Sequence, residues 1–167
     1  MKEWLKDTAV LPTRLILGYG FAFHGYGKLF SADGHAGFVG MLRGIGVPAP
    51  EATAWTVGAI EFFGGLALIV GAFVGVVALL QIGVMVVALF TVHLGAGFSF
   101  MNVIGMGEGG PQFGLPGFEI NLLYIAGLSA LLLGGAGALS VDRLLATLAA
   151  RRAASVNTSE HAAVVTS

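Results

Sequence analysis

Thr53 to Phe98 reads TAWTVGAIEFFGGLALIVGAFVGVVALLQIGVMVVALFTVHLGAGF, and its only ionisable residues are Glu61 and His93. A membrane span needs roughly 20 largely apolar residues, so this stretch is too long for one crossing. It divides into two, with the break near Gly71 to Gly75. Working outward, Pro12 to Phe30 forms an earlier apolar segment opened by a proline, a residue that the first turn of a helix tolerates. Phe118 to Leu139 forms a later one, after the Gly114-Leu115-Pro116-Gly117 turn signal. The expectation is an all-α fold, a polytopic membrane four-helix bundle.

The whole composition agrees. Of 167 residues, 56% are hydrophobic and only 10% charged, with a mean hydropathy of +0.89, whereas soluble domains carry charge on about a quarter of their residues. The 27 glycines lie inside apolar runs, as close helix packing in lipid requires. No cysteine is present, which removes disulfides, thiolate metal sites and thiol relays. A net charge of -1 gives no basis for nucleic-acid binding.

Basic residues set the orientation. Lys2, Lys6 and Arg14 flank the first segment, and Arg143, Arg151 and Arg152 follow the last, against Lys28 and Arg43 on the other side. Both termini are therefore expected in the cytoplasm of a multi-pass inner-membrane protein, with Trp4 at an interface. His24, Tyr26 and Lys28 interrupt the first apolar run, which favours a retained helix over a cleaved signal. Ser31 to Ala52 and Ser99 to Gly117 are read as loops on the outer side. Val141 to Arg152 carries Val141, Leu144, Leu145 and Leu148 at helical spacing beside arginines, the pattern of a short interfacial helix. The domain plan is residues 1–145 as the transmembrane unit and 146–167 as the end of that helix plus a disordered cytoplasmic tail. The Asn157-Thr158-Ser159 sequon falls in that tail and carries no weight on this topology.

Ionisable groups inside spans are costly, turn toward the bundle interior and mark function by default. At 1.5 Å per residue, His24, Glu61, His93 and Glu119 all fall in about the outer third of the bilayer, delivered by four different segments. Lys28 shares a helix face with His24 and is a natural partner for Glu61 or Glu119. Gly64 and Gly65 follow Glu61 at i+3 and i+4, leaving room for a neighbouring helix or a flat ligand. At the opposite leaflet, Arg14 and Asp142 match in depth and oppose in charge, as a structural ion pair would. The polar cluster admits two readings: a ligand-binding or proton-exchanging site, or a closed network that only holds helices together. A haem held by His24 and His93 is the weakest alternative, since it needs a large pocket and rests on two histidines. No metal-ligand motif is present.

Arg14-x3-Gly18, His24-Gly25-x2-Lys28-Leu29-Phe30, Glu61-x2-Gly64-Gly65, His93, Glu119 and Ser140-Val141-Asp142 together resemble the DoxX family of small membrane proteins. The resemblance runs over about residues 10 to 145, and departs from the family pattern at Gly135-Ala136-Gly137, where Gly-Pro-Gly is expected. It implies a four-helix membrane fold and an association with quinone-linked redox or oxidative-stress systems. Quinone is the implied ligand, and a redox partner protein would carry flavin or metal, since this chain has no cysteine and no dinucleotide fingerprint. The competing reading is a non-catalytic scaffold or small-molecule carrier, and either is compatible with a homo-oligomer in the lipid bilayer. The residues leave open whether the chain is itself catalytic.

Overall fold

The computed structural model describes residues 7–165, so Lys2, Trp4 and Lys6 of the topology argument lie outside the described residues. Helix α1, Leu11–Phe30, starts with Pro12 in its first turn and stops at Ser31, whose extended backbone caps α2, Ala32–Gly44. Ser31 Oγ accepts from the Gly34 amide at 3.1 Å. Helix α3, Pro50–Val70, is followed by α4, Val74–Ala88. Beyond α4 the helix continues through a π turn, Leu89–His93, and a 3₁₀ turn, Leu94–Ala96. An antiparallel hairpin, β1 Val103–Gly107 and β2 Gly110–Phe113, leads into α5, Glu119–Gly134, and α6, Val141–Val165.

The chain is therefore mostly helical, and Pro50–Val70 and Val74–Ala96 are each long and apolar enough to cross a membrane. The break between them falls at Gly71, in the left-handed region at φ +72°. A Cβ there would lie 2.7 Å from Arg14 Nη1, so glycine meets both the backbone and the space requirement. Helix α1 packs on α3, α3 on α4, α4 on α5, and α5 back on α1. The α1–α3 seam is the tightest. A Cβ on Gly18 would sit 2.8 Å from the Gly65 carbonyl, and Gly25 and Gly65 face the backbone of Phe62 and Ala22, the close approach that small residues permit in lipid.

Leu17, Phe21, Leu68, Leu128 and Leu131 form the buried centre. Phe23, Phe63, Leu79, Phe90 and Leu133 point outward and stay exposed. A belt of that kind is an aggregation liability in water and an ordinary surface in lipid.

Several expectations need correcting. Ser31 to Ala52 is not a loop: α2 occupies most of it, because Val39 and Leu42 bury themselves against Ala54 of α3. The second loop contains the β1–β2 hairpin, turned at Gly110 with φ +111°. The last apolar helix ends at Gly134 instead of Leu139, because Gly135 takes φ +76° and the chain unwinds toward Arg14. Helix α6 begins where the interfacial helix is expected and runs on to Val165, through an alanine-rich stretch read above as disordered.

Candidate functional site

Arg14 is buried near the start of α1. Its guanidinium donates to the carbonyls of Ala136 and Leu139 beyond the end of α5, and to Ile69 of α3 at 3.5 Å. Asp142, in the first turn of α6, accepts from the amides of Phe73 at 2.7 Å and Val74 at 3.0 Å, and so caps α4 from a remote position. The expected ion pair is thus replaced. Each charge satisfies backbone groups that helix ends leave unpartnered, with Ser140 and Gly71 between them. An ion pair between Asp7 and Arg143, at 3.2 Å, closes the same end.

The other half of the helix ring encloses a cavity of about 640 Å³, walled mainly by Phe21, Phe38, Leu42, Val84, Val92 and Ile120. His24, Lys28, Glu61 and His93 all line it, together with Asn121 and Tyr124. Lys28 of α1 and Glu61 of α3 form a salt bridge, with Glu61 buried and Lys28 nearly so. The Lys28 ammonium also lies 4.8 Å from the centre of the Phe38 ring, which ties the pair to α2. His24 is exposed and stands one helical turn before Lys28. His93 is carried by the π turn, a distortion common at functional sites, and its Nδ1 lies 2.8 Å from the Pro116 carbonyl.

Three of the expected residues sit elsewhere. Glu119 does not line the cavity: its carboxylate accepts from the Phe100 amide at 2.9 Å and pins the segment that follows His93 to the start of α5. Gly64 and Gly65 do not line it either. Gly65 sits against α1, and a Cβ on Gly64 would come 2.7 Å from Gln81 Nε2; both glycines serve helix packing, with no room left for a flat ring.

A family model described as DoxX matches residues 9–94. The chain belongs to the DoxX family. The match takes in His24, Lys28, Glu61 and His93 of this DoxX protein and ends before Glu119 and Asp142. No curated protein and no solved structure matches it.

Three polar residues escaped the sequence reading. Gln81 is fully buried and donates to the Ile60 carbonyl at 3.0 Å, holding α4 against the turn that carries Glu61. Asn121 is buried on α5, and its Nδ2 donates to the Met85 carbonyl at 3.4 Å. Both interrupt long apolar runs, and amides in such runs commonly hydrogen-bond across helices. That was the available signal. His35 is a third: its ring lies 4.3 Å from Trp55 at a tilt of 37°, and its Nδ1 lies 2.8 Å from the Lys28 carbonyl, tying α2 to both α3 and α1.

Proposed function

We propose that this DoxX protein is a multi-pass protein of the inner membrane in which α1, α3, α4 and α5 cross as a four-helix bundle with both termini cytoplasmic. Its cavity holds the ring of a membrane quinone, and the chain serves as the membrane subunit of a quinone-linked redox or oxidative-stress system. The crossing pattern is supported by the closed sequence of helix contacts and by Arg143, Arg151 and Arg152 on the same side as Arg14. A reporter fused after the C-terminus should read cytoplasmic, and one inserted at Gly109 should read external. The reverse result at either site overturns the orientation.

The observation that carries the ligand reading is the cavity itself. Its volume falls within the range of small-molecule sites, about 300–1,000 Å³, which are mostly apolar with a few placed polar groups. A flat ring with a hydrocarbon tail suits the apolar walls, and Lys28, Glu61, His24 and His93 are the groups that would meet its oxygens or exchange protons there. Glu61→Gln keeps the side-chain shape and removes the charge. The purified variant should melt close to wild type and lose binding of a short-chain quinone or quinol. Normal binding by its folded fraction would leave the Lys28–Glu61 pair as a structural fastening only and sink the reading.

A further inference from the structure

The hydrogen-bonding character of the cavity wall is uneven. The Pro116 carbonyl can only accept, so the proton of a neutral His93 ring sits on Nδ1, and Nε2 presents a lone pair. Nε2 has no partner among the described residues. Thr91 donates its hydroxyl proton to the Val87 carbonyl at 2.8 Å, and Thr53 donates to Pro48 at 3.2 Å. Both threonines line the cavity and keep only acceptor capacity toward it. Glu61 adds a carboxylate, and Lys28 gives one of its three ammonium protons to it and keeps two. Lys28, Tyr124 and His24 are the lining side chains able to donate, so the wall is mixed, and His93 Nε2 is the acceptor that only a donating ligand can satisfy.

We infer that the cavity favours a ligand that donates as well as accepts hydrogen bonds, the hydroxyl-bearing quinol in preference to the quinone, with His93 Nε2 as the acceptor of one hydroxyl proton. This rests on the quinone reading above and specifies which redox form of the ligand the site selects. A quinone offers only carbonyl acceptors and would set lone pair against lone pair at His93 and the threonines. A quinol supplies the missing proton on a ring of the same size and planarity and with the same tail. The π turn contributes by placing His93 where Pro116 fixes its tautomer. His93 is assigned here as a ligand-binding residue and no electron transfer is implied.

The test uses the purified protein in nanodiscs, kept anaerobic, with three probes: a short-chain ubiquinol, the matching ubiquinone, and the dimethyl ether of that quinol. The ether keeps the ring and tail, carries a methyl in place of each hydroxyl proton and cannot donate, while the quinone serves as the non-donating probe of nearly the same size. Wild type should bind the quinol about tenfold or more tightly than either other probe, the scale set by leaving a buried acceptor unsatisfied. His93→Phe should bring the three affinities to within about threefold of one another. Equal affinity for quinol and ether in the wild type would overturn the selectivity while the quinone reading stands. Failure of all three probes to bind would overturn both. Because the ether comparison needs no variant, the outcome holds even if His93→Phe folds poorly.

Discussion

At the Arg14 end of the molecule, opposite charges lie close together without meeting: Arg14 binds the carbonyls of Ala136, Leu139 and Ile69, and Asp142 binds the amides of Phe73 and Val74. At the cavity end, Lys28 and Glu61 meet directly, and beside them space is left open. The first arrangement converts charge into the closure of helix ends, which is a structural use. The second holds a dipolar pair at the wall of a cavity with histidines nearby, which leaves groups available to a ligand. On the proposed function, buried charge in one small helical protein serves two purposes, and its partners, backbone or side chain, separate them.

The largest effect that could break this contrast is at Arg14. Arg14→Met should cost about 3 kcal/mol, because several buried carbonyls lose their donor at once. It should leave the affinity of the folded fraction for a short-chain quinol unchanged. Denaturant unfolding in detergent, paired with a binding titration, reads both quantities, and a loss of affinity without a loss of stability would erase the distinction between the ends. Asp142→Asn should have a smaller effect, about 2 kcal/mol, since one oxygen remains to accept from an α4 amide while the second amide loses its acceptor together with the charge at the helix N-terminus. Glu61→Gln should move stability least, less than about 1 kcal/mol, because the amide oxygen still accepts from Lys28 and the cavity lies beside the ammonium. A drop as large as that of Arg14→Met in the same unfolding measurement would place both ends in one structural class.

Much of this was legible in the sequence, and the gaps have physical causes. Length alone split the Thr53–Phe98 stretch, and Gly71 supplied the left-handed turn the split needs. Depth counting brought His24, Lys28, Glu61 and His93 to one cavity, because distance along a helix converts directly into height. It failed for Glu119, which has the right height but turns toward Phe100, since height says nothing about the direction a side chain takes. It also failed for Arg14 and Asp142. Matching charges by depth assumes that side chains seek side chains, whereas unsatisfied backbone at helix ends competes strongly inside a protein. Helix α2 was missed because, with its glycines and only a short apolar stripe, it is too short to signal a span; its fold depends on Val39 and Leu42 reaching Ala54.

The seam between α1 and α3 also governs how the molecule can move. With Gly18, Gly25 and Gly65 bringing the two backbones to near contact, there is no side-chain layer between them to act as a bearing, so neither helix can slide along the other without collision. The pair behaves as one stiff plank that carries both halves of the Lys28–Glu61 bridge. Helix α2 is held in the same way, since a Cβ on Gly34 would collide with the Gly27 carbonyl of α1, so any widening of the cavity must come from α4 and α5, which meet that plank through side chains.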